Sequence, residues 1–321
     1  MRRSEAATPC HNQVMKVSII GGGGRVGSDA AFALQLGGIV KEIALVDANA
    51  DMAAGEALDL RHGSALTSSQ TITSGDYDVV AGSDCVVITA GLRRKPDETR
   101  LELINRNVGL FKGILDSLKG AKLPAHATLL VVSNPVDILT HLAIEAGLVA
   151  SSQVLGLGTV LDTCRFRSLL ADHFGVGARD VHALILGEHG DSMVPIWSSA
   201  TVNGIALASL TGYSQEVANG IFDFTKKSGA EVIRLKGGAG RAVGVSIKEV
   251  VEAMALDSGA LLPVSALQSG KLGITDVSLS LPTRVGRAGA VEILEPAVTD
   301  AEREGLHKSA ESLKGYLAQI S

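Results

Sequence analysis

Three glycines, Gly22, Gly24 and Gly27, stand in a G-x-G-x-x-G spacing directly after the apolar run 16–20. This spacing suits a pyrophosphate. The first glycine permits a tight turn. The second lets backbone N–H groups approach phosphate, and the third lets the following helix pack closely on the strand. A helix opening at Val26 would aim its N-terminal partial positive charge at the same place. Asp47 closes the next apolar run, 43–46, where a carboxylate can accept hydrogen bonds from ribose hydroxyls. It would also repel a 2′-phosphate, so the pattern predicts NAD rather than NADP. Four consecutive glycines could instead be a flexible turn. The order strand, helix, acid-ended strand favours the cofactor, with Gly22, Gly24, Arg25, Val26, Gly27 and Asp47 as its binding residues.

These residues need a frame. Apolar, β-branched runs at 17–20, 43–46, 85–90 and 129–133 read as buried parallel strands. Helical patterns lie between them, one from Val26 to about Leu36 and another over 103–118. The alternation predicts an α/β fold: a Rossmann-type, doubly wound parallel sheet with a second α+β domain for substrate. The expected division is a tail at 1–14, a dinucleotide-binding domain at 15–145 and a substrate domain at 146–321. In the last, 154–158 and 182–186 read as strands and 243–256 as an amphipathic helix. A capping box at Thr299 and Glu302 opens a C-terminal helix with Leu306, Ala310, Leu313 and Leu317 on one face.

Composition narrows the class. The chain has 321 residues, 46% hydrophobic and only 3% aromatic, so aliphatics must build the core. A net charge of −5 argues against nucleic acid. Cys10, Cys85 and Cys164 are widely spaced and form no metal or disulfide framework, which predicts no metal site and a reducing cytoplasm. No apolar run reaches the roughly 18 residues of a membrane span, so no membrane partner is expected. Residues 1–14 lack a signal peptide's apolar stretch.

Four further segments carry chemistry: 90–100, 133–137, 161–165 and 187–192. Together with the glycine loop, they resemble the lactate/malate dehydrogenase family in the same order, from residue 16 to about 317. The resemblance implies NAD-linked oxidation of an L-2-hydroxy acid by a homo-oligomer, with a tetramer favoured over a dimer. Residues 52–66 resemble the family's interface helix region.

Chemistry supports each matched residue. Oxidising an alcohol carbon requires loss of the O–H proton, and the imidazole of His189 titrates near working pH. Asp162 would orient that ring and stabilise imidazolium. Arg165, three residues on, would grip the substrate carboxylate with its planar fork. Asn134 would hydrogen-bond the substrate oxygen near the nicotinamide, and so belongs to both the substrate and cofactor sets. Arg100 would polarise the substrate C–O bond, from a charged segment suited to closing over the site.

Arg94 bears on which acid is used. In the family this position resembles arginine in malate enzymes and glutamine in lactate enzymes. A second carboxylate would pair with Arg94. With pyruvate the desolvated guanidinium would stand alone, at a cost on the order of 3–5 kcal/mol, or roughly 10²–10³ in selectivity. Ala239 agrees, as a small pocket-wall residue. Glu188, Glu98 and Thr99 have a lactate flavour, and Arg93 departs from both branches. The expected activity is therefore malate dehydrogenase, with lactate dehydrogenase as the alternative. Arg167 and His182 match a pair that binds fructose bisphosphate in bacterial lactate dehydrogenases, or they are ordinary interface residues. A non-catalytic NAD sensor is the reading from another class. It has no physical need for Arg100, Asp162, Arg165 and His189 together.

Overall fold

The computed structural model describes residues 15–93 and 97–320. The tail at 1–14 and Arg94 lie outside them. The first half alternates strand and helix: β1 (Lys16–Ile20), α1 (Arg25–Gly37), β2 (Glu42–Val46), α2 (Ala50–Gly63), β3 (Thr71–Ser74), β4 (Cys85–Ile88), α3 (Arg100–Leu118), β5 (Thr128–Val131), α4 (Val136–Glu145) and β6 (Val154–Gly156). The second half continues with α5 (Val160–Phe174), β7 (Val181–Leu186), β8 (Val194–Val202), β9 (Ile205–Ala206), α6 (Gln215–Lys236), α7 (Arg241–Ala255), β10 (Ala260–Leu262), β11 (Ser265–Ser269), β12 (Thr275–Ser280), β13 (Thr283–Gly286), β14 (Gly289–Ile293) and α8 (Asp300–Leu317).

The main sheet runs β12-β11-β6-β5-β4-β1-β2-β3. Its six parallel strands have the doubly wound order, reversing between β1 and β4, where Val17 pairs with Cys85 and Ile20 with Ile88. A crevice opens at the carboxyl ends of strands at such a reversal. β4 and β5 are buried along their whole length because helices cover both faces. Ala30, Ala31 and Leu34 of α1 and Ile247, Val250 and Val251 of α7 pack on one face. Ile104, Val108 and Phe111 of α3 and Leu139 of α4 pack on the other. Each large aliphatic buried this way contributes about 1.5–3 kcal/mol.

The structure departs from the sequence reading in three respects. β6 lies beyond the expected boundary at 145/146, yet it pairs in parallel with β5, so the first sheet continues to Gly156. β11 and β12 then extend this sheet antiparallel, making it mixed rather than wholly parallel. Three strands also stop early, at Ile88, Val131 and Gly156 rather than Ala90, Ser133 and Gly158. Their last residues peel away toward the crevice. Ser133 Oγ ties two of these ends together by donating to Ala90 O at 2.5 Å and Ile88 O at 3.1 Å.

The capping box expected at Thr299 forms, with Thr299 N donating to Glu302 Oε2 at 2.8 Å and Glu302 N to Thr299 Oγ1 at 3.3 Å, and α3 carries a second one. In α3, Glu102 N donates to Thr99 Oγ1 at 3.2 Å and Thr99 N to Glu102 Oε2 at 2.8 Å. That cap starts the helix at Arg100, earlier than its apolar pattern indicates. Among the described residues no helix is long and apolar enough to cross a membrane.

Candidate active site

One cavity of about 1380 Å³ reaches from the glycine loop to the catalytic candidates. Gly24, Arg25, Val26, Gly27 and Asp47 line one part. Arg100, Asn134, Arg165 and His189 line the other. Gly22 and Asp162 stand behind this wall, as packing and supporting residues. Of the expected site residues, Arg94 alone lies outside the described residues.

The glycine loop has the close contacts a dinucleotide cradle requires. A Cβ at Gly27 would stand 2.2 Å from Gly21 O, and one at Gly22 would stand 2.8 Å from Leu45 Cβ. Side chains at either position would push the loop off the sheet. Asp47 is pinned at the end of β2, accepting from Gly23 N at 3.1 Å and Asn49 N at 2.9 Å. Its carboxylate therefore stays beside the loop, placed for a ribose and unfavourable to a 2′-phosphate.

The candidate acid–base group is built from two segments. α5 presents Asp162 and Arg165 one turn apart, and the turn after β7 presents His189. Asp162 is 1% exposed and serves both neighbours. Its Oδ2 is 2.5 Å from His189 Nδ1, and its Oδ1 accepts from Arg165 Nη1 at 3.0 Å. Burial alone would raise the Asp162 pKa, but the charges and hydrogen bonds of His189 and Arg165 outweigh it and hold the carboxyl below its usual range. Burial likewise disfavours imidazolium, yet the Asp162 charge prevails and the His189 pKa is raised. The result is a ring with raised proton affinity and a set orientation. The Arg165 guanidinium lies against α6, where a Cβ at Gly229 would be 3.4 Å from Nη2.

Asn134 sits where β5 gives way to α4, in a cis peptide bond to Pro135. Arg100 is at the first turn of α3. Its Nη1 donates to Asp191 Oδ2 at 2.6 Å, its Nη2 to Glu188 Oε1 at 3.4 Å, and its guanidinium carbon is 5.2 Å from the Tyr316 ring centroid. Leu92 and Glu98 are each tied to α3. Leu92 N donates to Asn107 Oδ1 at 2.7 Å, and buried Glu98 pairs with Arg106. Arg167 donates to the carbonyls of Ala178 and Arg179, each at 3.4 Å, and His182 is exposed on β7.

Two acids escaped the sequence reading. Asp137, in the first turn of α4, accepts the His189 backbone N–H at 2.7 Å. Burial pushes its pKa to about 6, despite lowering contacts from Ser265 and His189. Glu188, 5% exposed, holds Arg100 and takes the Ser192 hydroxyl. Both lie inside segments already singled out. From sequence, Asp137 carries no assigned role, and Glu188 stands out only for the lactate-type motif around His189.

The chain matches the model for the lactate/malate dehydrogenase NAD binding domain over residues 15–156, and that for the lactate/malate dehydrogenase alpha/beta C-terminal domain over 159–321. It is 44% identical over 310 residues to L-lactate dehydrogenase 1 of Clostridium acetobutylicum, covering 95% of this chain and 98% of that one. It is 42% identical over 315 residues to L-lactate dehydrogenase of Acetivibrio thermocellus, covering 97% and 99%. In structure it is similar to the minor L-lactate dehydrogenase of Enterococcus mundtii, with a TM-score of 0.91, 34% identity and coverage of 96% and 99%. A lactate dehydrogenase from a Medee basin deep-sea metagenome gives a TM-score of 0.90 at 33% identity, covering 95% and 98%. With both halves matched and the residues of the cavity in place, the chain belongs to the lactate/malate dehydrogenase family and is an NAD-dependent L-2-hydroxy acid dehydrogenase.

Proposed function

We propose that the chain interconverts L-lactate and pyruvate as an L-lactate dehydrogenase. The observation that carries this reading is Asp162 holding both His189 and Arg165 in the cavity the glycine loop opens into. The relatives named above are lactate dehydrogenases, which supports lactate among the family's acids. NAD, when bound along the glycine loop and Asp47, supplies the hydride acceptor. The chain supplies the rest. Arg165 grips the substrate carboxylate with the edge that Asp162 leaves free. His189, engaged through Nδ1, exchanges the alcohol proton at Nε2. Arg100 swaps part of its pairing with Asp191 and Glu188 for the substrate oxygen and stabilises the charge developing there. Asn134 donates to the same oxygen. On this reading the first half binds dinucleotide, and the second supplies Asp162, Arg165 and His189.

Arg94 and Ala239 support a second reading, malate and oxaloacetate. Ala239 lines the cavity and leaves room for a larger acid. Arg94 supplies a charge that a distal carboxylate would meet. NADH oxidation with pyruvate and oxaloacetate in parallel tests the choice. A higher kcat/KM with pyruvate upholds lactate, and a higher value with oxaloacetate replaces it with malate. Exposed Phe32, Leu36, Met52 and Leu58 on α1 and α2 support a homo-oligomer, which light scattering would measure.

A further inference from the structure

Arg25 belongs to the glycine loop, but its guanidinium reaches away from it. Nη1 donates to the carbonyl oxygens of Lys236 at 3.1 Å and Gly238 at 2.9 Å. These belong to the turn joining α6 to α7. The last carbonyls of α6 are unsatisfied within the helix and carry partial negative charge, so a cation there is favoured. One turn along α1, Asp29 takes the other side of the same turn. Its Oδ1 is 2.8 Å from Arg241 Nε.

The turn is shaped to fit these two side chains. Gly238 has a φ of +152°, and a Cβ there would stand 2.7 Å from Arg25 Nη1. A Cβ at Gly240 would stand 2.0 Å from Asp29 Oδ2 and 2.9 Å from Arg25 Cγ. Gly240 precedes α7 as its N-cap and Arg241 begins the helix. Here the small residue makes room for Asp29 and the basic one pairs with it. Between the two glycines sits Ala239, which faces the substrate cavity together with Gly229, Ile233 and Val243. Gly229, on α6, is also the backing of Arg165.

We propose that Arg25 and Asp29 are positioning residues for the substrate side of the site. They clamp the 237–240 turn and thereby set the wall formed by Ala239 and the α6 backing of Arg165. The dinucleotide loop and the substrate wall are thus tied through one side chain. The inference rests on the 2-oxo acid reading of the cavity.

The test is steady-state reduction of pyruvate and oxaloacetate at saturating NADH, using Arg25→Gln, Arg25→Lys and Asp29→Asn. Saturating NADH removes any contribution of Arg25 to phosphate binding. Glutamine cannot place a cation on the two carbonyls, whereas a lysine ammonium can, because a single nitrogen makes both bonds. Asp29 does not line the large cavity, so its effect must pass through the turn. The expected result is a rise of about fivefold or more in the 2-oxo acid KM for Arg25→Gln and Asp29→Asn, with kcat changed less. Arg25→Lys should stay within about twofold of wild type. A KM within twofold for both Arg25→Gln and Asp29→Asn overturns the clamp. A rise in Arg25→Lys equal to that in Arg25→Gln also overturns it. NADH fluorescence titration confirms that each variant is folded. A wild-type chain inactive on both acids would sink the functional reading itself, an outcome distinct from active variants with unchanged KM.

Discussion

The Nδ1 atom of His189 and the Oδ2 atom of Asp162 stand 2.5 Å apart, on segments 27 residues apart in the chain. The contact fixes the imidazole's orientation and leaves Nε2 for the cavity. It also raises the ring's proton affinity against the pull of burial. On the proposed mechanism, reduction of a 2-oxo acid uses the protonated ring. Activity in that direction should therefore persist below the raised pKa and fall as pH rises through it. Asp162→Asn removes the charge but keeps an oxygen. Its descending limb should move to lower pH, with kcat/KM reduced on the order of 10²-fold or more. A pH profile with an unmoved limb would show that Asp162 does not tune His189.

Arg165→Lys tests the fork. Lysine keeps the charge but cannot bond Asp162 and a carboxylate with one planar group. The 2-oxo acid KM should rise at least about tenfold, with NADH affinity by fluorescence titration unaffected. A KM equal to wild type would mean that Arg165 serves only as the Asp162 partner.

Arg94→Gln tests selectivity. Removing the second charge should lower oxaloacetate kcat/KM relative to pyruvate, on the order of 10²-fold. If oxaloacetate turnover survives intact, Arg94 is not the selector.

Asp137 gives a stability prediction. Its carboxyl has a folded pKa of about 6, raised from the model-compound value of 3.8 by burial. The folded state therefore binds the proton more tightly than the unfolded chain does. Stability falls as pH rises from about 4 to about 6, by about 3 kcal/mol for a shift of this size, and stays reduced above. Asp137→Asn retains an acceptor for the His189 N–H without the buried charge. Its Tm should exceed wild type by a few degrees near pH 8, and the difference should vanish near pH 4. Equal Tm values at pH 8 would mean that Asp137 is ionised without strain.

The sequence made the fold's first half legible because buried β-branched runs and glycine punctuation are local signals. β4 and β5 are apolar from end to end, and Gly38, at a φ of +66°, stops α1. Which sheet a strand joins is not local. β6 read as a strand, but its pairing with β5 depends on residues 25 positions away. β11, Ser265–Ser269, carries too few apolar residues to announce a buried strand, and gains its burial from β6 and β12. The same distinction holds in the site. His189, Asp162, Arg165 and the glycines could be picked out as candidates because they sit in compact motifs. The roles of Asp137 and Glu188 could not, since they arise only when α4, α3 and the His189 turn meet. The Arg25 and Asp29 contacts likewise join residues more than 200 positions apart.

The most direct test is NADH oxidation by wild type and by His189→Gln, with pyruvate and oxaloacetate, at NADH concentrations saturating for each. The wild type should turn over at least one acid, and the variant should bind NADH normally while losing about 10²–10⁴ in kcat. A variant that turns over the same acid at the wild-type rate would contradict the assignment of the proton to this imidazole.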